Sequence, residues 1–287
     1  MVVTNAKTYD YQPVILIGAG RSGTKIIRDV IATHPDIDAV PFDVNYIWRI
    51  GQKIEHDFLD PASLTDKNKA IIRKQLEKQL NSAAILLEKT VSNSLRIPYV
   101  QAVYPDAKFI HLIRDGRDVV ESVLRQWGES RELSYFFKKL KTFPILHACS
   151  YLYEYVINWF NLKLGFKARQ DYIWGVRYPG YQKDVQEKSV LEVCAIQWLK
   201  CIESSTTMLA HIDQQQCLVI RYEELVNDPS KQLDKVACFL NIDANRFDSS
   251  TLNNKNIGKY KKAFSETQLE TLMSIINPGL IKLGYVS

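Results

Sequence analysis

The stretch VILIGAGRSGTK, residues 14–25, decides the fold class of this 287-residue chain. Its aliphatic start predicts a strand, glycines follow at positions 18, 20 and 23, and residues 24–33 have the period of a helix. A strand that passes through a glycine-rich turn into a helix directs backbone N–H groups and the positive end of the helix at one place. The stretch therefore predicts an α/β fold with an anion-binding loop.

The remaining sequence repeats this alternation of strand-length apolar runs and helical segments, which is typical of a parallel sheet with helices on both faces. We predict one domain, residues 1–287, with three layers and a helical, aromatic-rich insertion at residues 128–188. The other predicted strands are residues 39–42, 84–87, 108–113 and 217–220, and the other predicted helices are residues 66–80, 96–103 and 117–127.

Composition narrows the class of protein. Hydrophobic residues make up 46% of the chain, which excludes a disordered, coiled-coil or collagen-like protein. The net charge of +5 suits an anionic ligand and is too small to indicate nucleic acid. The chain has five cysteines and no C-x-x-C pair, which predicts reduced thiols. It has no uninterrupted apolar run of the about 18 residues that a membrane helix needs, and we therefore predict a cytoplasmic protein.

The glycine-rich turn fits three kinds of phosphate-binding motif. Its glycines satisfy G-x-G-x-x-G, the dinucleotide fingerprint, for which Asp43 would be the acidic residue that holds a ribose. Gly18 and Gly23 also have the spacing of a P-loop, but Lys25 comes one residue later than that motif requires. The third interpretation uses Arg21 and the hydroxyl residues beside it as ligands of the phosphate.

In this third interpretation the turn resembles that of sulfotransferases that use 3'-phosphoadenosine 5'-phosphosulfate (PAPS). The resemblance implies a P-loop-like fold, and it implies that Arg21, Ser22, Gly23 and Thr24 hold the 5'-phosphosulfate. Lys25 stands where a hydroxyl residue is common in that family.

A second segment, LIRDGRDVVES at residues 112–122, carries Arg114 at the end of a predicted strand and Ser122 in the next helix. An arginine and a hydroxyl suit a terminal phosphate. The segment is similar to the family's motif for the 3'-phosphate of PAPS. The alternative for Arg114 is an ion pair with Asp115 or Asp118 that only ties off the strand.

Two later segments extend the resemblance. RYEELV, residues 221–226, looks like the turn after the family's last strand, and NIGKYK, residues 256–261, resembles a loop that closes over the nucleotide. The second match implies that Lys259 contacts the nucleotide. Without the family, these segments would be a strand, a turn and a basic loop.

Sulfuryl transfer requires cations at the sulfo and bridging oxygens and a base for the acceptor hydroxyl. Lys89, at the end of a predicted strand, is the candidate cation together with Arg21, and its alternative is a surface lysine paired with Glu88. The family branch that sulfates small phenols has histidine where this chain has Val91. The glycan and protein-tyrosine branches instead have a glutamate base just after the second strand, where this chain has Asp43, whose side chain is one methylene shorter. The alternative for Asp43 is a helix cap.

We therefore predict a PAPS-dependent sulfotransferase that needs no metal and sulfates a carbohydrate or glycolipid hydroxyl. The predicted partners include peripheral contact with a membrane and no nucleic acid, and the oligomeric state stays open. A P-loop nucleotide kinase or other phosphotransferase is the alternative enzyme, and a nucleotide-binding module without catalysis is the alternative outside enzymes.

Overall fold

The structure, a computed structural model, describes residues 9–129 and 175–286, except for the side chains of residues 127–129. Within these residues, five parallel strands form a central sheet. The strand order is β2-β3-β1-β4-β5. The strands are β1 (Gln12–Ile17), β2 (Ile37–Ala39), β3 (Ile85–Glu88), β4 (Lys108–Ile113) and β5 (Cys217–Arg221).

The central strands β1 and β4 are buried on both faces, as their near-continuous aliphatic sequence predicts. Their register pairs Ile17 with His111, so the two strands end side by side. On the other side of β1, Val14 pairs with Leu87 of β3. The prediction of a P-loop-like α/β fold with a parallel sheet flanked by helices is confirmed.

Helices connect the strands and cover the sheet, and they are numbered here along the described residues. They are α1 (Thr24–Ile31), α2 (Asn45–Trp48), α3 (Asp66–Glu77), α4 (Ile97–Val103), α5 (Gly116–Glu129), α6 (Tyr181–Glu187), α7 (Val190–Leu209), α8 (Tyr222–Asn227), α9 (Pro229–Leu240), α10 (Tyr260–Ala263) and α11 (Glu266–Lys282). Four short 3-10 turns add Pro61–Ser63, Val91–Leu95, Gln214–Gln216 and Ala244–Arg246.

Each face of the sheet has its own apolar core. Residues of α1, α8 and α9 pack on the face that carries Val14 and Leu16. Residues of α2, α3 and α4 pack on the opposite face, around Trp48. A third cluster joins α5, α7 and α11 around Trp198, beyond the end of β4. The sheet thus forms the middle of three layers, and its carboxyl edge is free to carry the loops that bind ligands.

The second strand differs from its prediction. It covers Ile37–Ala39 rather than residues 39–42. Val40 still donates its N–H to Leu87, but Pro41 has no N–H with which to continue the ladder. Asp43 consequently lies four residues beyond the end of the strand rather than directly after it.

The predicted insertion at residues 128–188 falls mostly outside the described residues, together with its aromatics Tyr151, Tyr153, Tyr155, Trp159, Phe160, Tyr172 and Trp174. Its described end, residues 175–188, contains α6, and Tyr178 packs into the third apolar cluster. Among the helices of residues 9–129 and 175–286, none combines the length and apolar character needed to cross a membrane.

The strand order places a switch point between β1 and β4. The chain leaves β1 towards β2 on one side of the sheet, and it leaves β4 towards β5 on the other side. Loops after such diverging strands border the crevice where open α/β sheets bind ligands. The loops with Arg21 and Arg114 follow these two strands.

Candidate active site

The loop after β1 holds its shape through close backbone packing. A Cβ on Gly18 would lie 2.8 Å from the carbonyl oxygen of Leu112 in β4, and a Cβ on Gly23 would lie 2.6 Å from the Tyr222 ring. Gly23 also has a φ of 95°, which disfavours other residues. Both glycines are therefore required by the turn that joins β1 to α1.

Within this loop, Arg21 and Ser22 have unusual environments. Arg21 has a φ of 69°, which is uncommon for a residue with a side chain and occurs preferentially at binding sites. Ser22 is fully buried, and no described residue forms a hydrogen bond with its hydroxyl. Its hydroxyl is a donor that a ligand oxygen could satisfy. Because the N-cap Gly23 has no side chain to bond the first N–H groups of α1, the loop suits an anion.

Arg114, which follows β4, joins two loops. Its Nη1 donates to the carbonyl oxygen of Arg21 at 3.0 Å, and its Nη2 donates to that of Asn256 at 2.5 Å. Its guanidinium carbon lies 4.4 Å from the centre of the Tyr222 ring. Nε is buried and has no partner among the described residues. Arg114 thus holds the two candidate phosphate loops together and keeps one N–H free for a ligand.

The predicted alternative for Arg114 is present only in part. Asp118 lies 4.0 Å away, at the limit of an ion pair, and Asp115 pairs with Arg117 instead. Ser122 is placed as expected on α5, but its hydroxyl accepts a hydrogen bond from Arg21 Nε at 3.2 Å. The two phosphate motifs are therefore in direct contact in this structure.

Asp118 anchors the loop that contains Lys259. Its two carboxylate oxygens accept the N–H groups of Gly258 at 2.7 Å and Tyr260 at 3.1 Å, one residue on each side of Lys259. The ring of Tyr260 lies 4.6 Å from the Arg117 guanidinium carbon. The structure therefore places Lys259 beside the Arg114 site, and it shows that Asp118, which the sequence analysis considered only as an ion-pair partner of Arg114, holds the loop with Lys259.

The RYEELV segment, residues 221–226, packs against the loop after β1 and the loop after β4. Tyr222 contacts the loop after β1 at Gly23 and the guanidinium of Arg114, as described above. Glu223 accepts the N–H of Asp115 at 3.0 Å and the hydroxyl of Tyr285 at 2.8 Å. The role of this segment was missed because its tyrosine and glutamate act through backbone and ring contacts that only the fold brings together.

On the other side of β1, Lys89 and Asp43 form an ion pair through Nζ and Oδ1. Lys89 is 7% exposed, whereas the side chain of Asp43 keeps 34% of its surface. The surface-lysine alternative is wrong, because Lys89 is buried and pairs with Asp43 rather than Glu88. The helix-cap alternative for Asp43 is also wrong, because Val44 is the N-cap of α2 and no side chain caps that helix.

Burial changes the pKa values of Glu88 and Arg96, near this pair, and of His111, which lies further away in β4. Burial raises the pKa of Glu88 to about 7, against the opposing effect of the hydrogen bond from Thr90. Burial lowers the pKa of the Arg96 guanidinium to about 10. His111 in β4, whose Nε2 lies 3.0 Å from Ser205 Oγ, has its pKa lowered to about 4 by burial. Among residues 9–129 and 175–286, no group of His, Cys, Asp and Glu side chains is arranged to hold a metal ion.

Comparison with known proteins agrees with these features. The sequence profile of the sulfotransferase family matches residues 13–163 and 172–246. The chain belongs to the sulfotransferase family. The two phosphate motifs of the sequence analysis lie within the matched residues, and the prediction of the family is confirmed.

Several curated sulfotransferases are similar to the chain. The protein-tyrosine sulfotransferase of Drosophila melanogaster is 24% identical over 255 residues, which cover 83% of this chain and 40% of that protein. Protein-tyrosine sulfotransferase 1 of Homo sapiens is 30% identical over 135 residues, which cover 41% of this chain and 36% of that protein. The chain thus matches about half the length or less of these relatives.

Solved sulfotransferase structures share the fold. The sulfotransferase of Alicyclobacillus acidocaldarius has a TM-score of 0.56 at 16% identity, with 95% of this chain and 94% of that chain covered. A sulfotransferase of Mycobacterium avium has a TM-score of 0.53 at 12% identity, with 96% and 77% covered. At these identities the likeness establishes the architecture alone.

Proposed function

We propose that the chain transfers a sulfo group from PAPS to a hydroxyl acceptor. The observation that carries this proposal is the contact between the two phosphate loops through Arg114, which donates to the backbone of the loop after β1. A ligand with two separated anionic groups would span these loops, as the 5'-phosphosulfate and the 3'-phosphate of PAPS do. Membership of the sulfotransferase family supports the same donor.

The residues that would hold the donor divide between its two anionic groups. Arg21, Ser22, Gly23 and Thr24 would surround the 5'-phosphosulfate with the N-terminal amides of α1. Arg114, Ser122 and Lys259 would take the 3'-phosphate. The buried Ser22 hydroxyl and Arg114 Nε, neither of which has a partner among the described residues, fit these assignments.

The transfer step follows from the Lys89–Asp43 pair. The acceptor oxygen forms a bond to sulfur, the bond from sulfur to the bridging oxygen breaks, and the electron pair stays with the nucleotide phosphate. Asp43 takes the proton of the acceptor hydroxyl. A lysine ammonium has three N–H donors, so Lys89 can contact Asp43 and still donate to the bridging oxygen as negative charge develops there. Arg21 would stabilise the sulfo oxygens.

Two acceptor classes remain in the proposal. The sequence analysis favours a carbohydrate or glycolipid hydroxyl, because histidine is absent after Lys89 and the insertion is rich in aromatic residues. The similarity to protein-tyrosine sulfotransferases favours the tyrosine hydroxyl of a peptide. In both classes a hydroxyl proton must be removed, and Asp43 is the exposed carboxylate beside Lys89. The predicted cytoplasmic location also stays a proposal.

Calorimetry tests the donor. The chain should bind 3'-phosphoadenosine 5'-phosphate (PAP) much more tightly than AMP, and ATP with magnesium should bind no better than AMP. Equal affinity for PAP and AMP would contradict the use of two phosphate loops. Preference for ATP with magnesium would favour the kinase alternative.

An acceptor panel with radiolabelled PAPS tests the reaction. Tyrosyl peptides, free saccharides and glycolipid vesicles form its three arms, and the Asp43→Ala variant is the matched control. We expect one arm to accept label and the variant to lose that transfer. Transfer that persists in Asp43→Ala would remove this residue from the mechanism, and no transfer in any arm despite tight PAP binding would favour the nucleotide-binding module.

A further inference from the structure

A closed ring of buried hydrogen bonds lies behind the Lys89–Asp43 pair. It is built from residues that flank this pair in sequence and from the first residues after β3. Its members are the side chains of Glu88, Thr90, Asn93, Arg96 and Asn45, closed by the backbone of Val44. Neither Asp43 nor Lys89 belongs to it, but the ring holds a residue next to each of them.

One half of the ring crosses from β3 to the turn that carries Asp43. The Thr90 hydroxyl donates to Glu88 Oε1. The same hydroxyl oxygen accepts the N–H of Val44 at 2.9 Å. Because Lys89 lies between Glu88 and Thr90 in sequence, and Asp43 immediately precedes Val44, this single hydroxyl connects the backbones of both members of the ion pair.

The other half returns through Arg96. Asn93 Nδ2 donates to Glu88 Oε2 at 2.8 Å, and Arg96 Nε donates to Asn93 Oδ1 at 2.8 Å. Arg96 Nη2 then donates to Asn45 Oδ1 at 2.6 Å, two residues beyond Asp43. The Asp43 turn is thus held at Val44 and again at Asn45.

The ring lies in the interior. Glu88, Thr90, Asn93 and Arg96 each expose no more than 1% of their surface. Buried hydrogen bonds are strong and leave costly unpaired groups when one is removed, so a connected set restricts motion more than exposed contacts do. Two carboxylate oxygens, each with a donor, hold Glu88 in one orientation. The turn with Asp43 is therefore fixed to the end of β3.

We propose that Thr90 and Glu88 are positioning residues that fix Asp43 relative to Lys89 for proton removal from the acceptor. This inference rests on the proposed function, in which Asp43 is the base. Neither residue touches the reacting atoms. Their effect is exerted through the distance and direction of Asp43, whose short side chain leaves little freedom to correct a displaced backbone. Errors of about 1 Å at such a group can cost about 100-fold in rate.

The experiment compares Thr90→Val with Thr90→Ser. Valine has the shape of threonine without the hydroxyl, and serine keeps the hydroxyl without the methyl group. Thr206→Val is the matched control, because Thr206 donates to its own helix at Ile202, 2.7 Å away on α7. For each variant, kcat, KM for PAPS and PAP affinity are measured with the acceptor found for the wild type.

We expect Thr90→Val to lower kcat by roughly tenfold to 100-fold. The KM for PAPS and the PAP affinity should stay within about twofold of the wild type, because the phosphate loops do not use the ring. Thr90→Ser should recover most of kcat, and Thr206→Val should match the wild type. Unchanged kcat in Thr90→Val, or an equal loss in Thr90→Ser, would overturn the proposal, as would a parallel loss of PAP affinity.

Hydrogen exchange separates failure of the ring from failure of the proposed function. The Val44 amide should exchange faster in Thr90→Val than in Thr90→Ser, with or without any acceptor. Unchanged exchange of the Val44 amide in Thr90→Val would show that the Thr90 hydroxyl does not hold the turn, and this result alone would overturn the inference. Faster exchange in a chain whose Asp43→Ala variant keeps full activity would instead overturn the assignment of Asp43 as the base.

Discussion

The two halves of the candidate site are held together in different ways. The donor half consists of the loops after β1, β4 and β5 with residues 256–260, and its loops are joined largely through backbone groups, for example at Arg114 and Asp118. The acceptor half consists of the loops after β2 and β3, and its contacts run mostly from side chain to side chain, as between Lys89 and Asp43. Every residue has the same backbone N–H and C=O groups, proline's N–H excepted, so the donor half depends on the identity of only a few residues such as Arg114 and Asp118. In the acceptor half both partners of a contact are side chains, so replacing either residue removes the contact.

The largest expected effect comes from Lys89 in the acceptor half. Lys89→Ala should lower kcat by about 10³-fold, because the charge that develops on the bridging oxygen loses its nearest ammonium. PAP keeps the bridging oxygen as an oxygen of its 5'-phosphate but has no bond to sulfur that breaks, so its affinity should fall far less than kcat, by about tenfold or under. Steady-state kinetics and calorimetry measure the two quantities, and Lys69→Ala on α3 is the control. A loss of PAP affinity as large as the loss of kcat would place Lys89 in the donor half.

Two buried groups in the strands that carry these halves, His111 in β4 and Glu88 in β3, should affect the stability of the fold oppositely as the pH changes. The pKa of His111 is about 4 in the fold and 6.5 in the unfolded chain, so the unfolded chain gains protons first as the pH falls, and stability decreases between pH 6.5 and 4. The pKa of Glu88 is about 7 in the fold and 4.5 when unfolded, so its contribution decreases as the pH rises from 4.5 to 7.

Denaturant unfolding of the wild type and His111→Gln at several pH values checks the histidine. The free energy of unfolding of the wild type, relative to the variant, should fall by about 3 kcal/mol between pH 6.5 and 4. A difference between the two proteins that stays constant with pH would show that His111 is not held neutral by burial.

Next in size is the effect of Arg114 in the donor half. Arg114→Ala should weaken PAP binding by about 100-fold, because the variant loses a buried guanidinium that bonds two loops and that we propose as a ligand of the 3'-phosphate. AMP lacks that phosphate and should lose much less affinity. Arg246→Ala, at an exposed site, is the control in the same calorimetric titrations. Equal losses for PAP and AMP would mean that Arg114 acts only by holding the loops together.

The smallest of these effects is expected from the loop anchor. Asp118→Asn replaces one of two carboxylate acceptors by an amide donor, so the loop with Lys259 loses one of its two N–H bonds. PAP affinity should fall by about tenfold, and kcat at saturating PAPS should change little. Asp234→Asn on α9 is the control. Unchanged affinity would show that the 256–260 loop does not contribute to the donor half.

The same contrast explains which parts of the molecule could be predicted from sequence. β4 matches its prediction to the residue, because residues 108–113 are a mainly apolar run, interrupted only by His111, between turn signals on both sides. The glycine-rich loop could also be predicted, because its close packing leaves no room for a side chain at Gly18 or Gly23 and the need for glycine is visible in the sequence. The prediction for β2 was wrong because the apolar run from Ala39 to Phe42 continues past the end of the strand. Pro41 has no N–H and cannot continue the pairing with β3.

The buried ring and the RYEELV contacts could not be predicted in this way. Their polar residues have no characteristic spacing, and their partners are set by how β3, α2 and the 3-10 turn Val91–Leu95 pack together. Residues 92–96, Ser-Asn-Ser-Leu-Arg, are mostly polar and follow the buried strand β3. The hydrogen-bond partners of Asn93 and Arg96 depend on tertiary packing, so the sequence could not identify them.

The contact of Arg114 with Asn256 has a consequence for how the protein is made. Gly18 and Asn256 are more than two hundred residues apart in sequence, so during synthesis the loop after β1 exists long before Arg114 can join it to the loop with Asn256 in the proposed site. The strand pairings in residues 9–129 and 175–286 are all parallel and therefore join distant segments, which slows folding. A nucleotide that binds both loops, as we propose, would then stabilise by mass action those molecules in which these distant segments have come together.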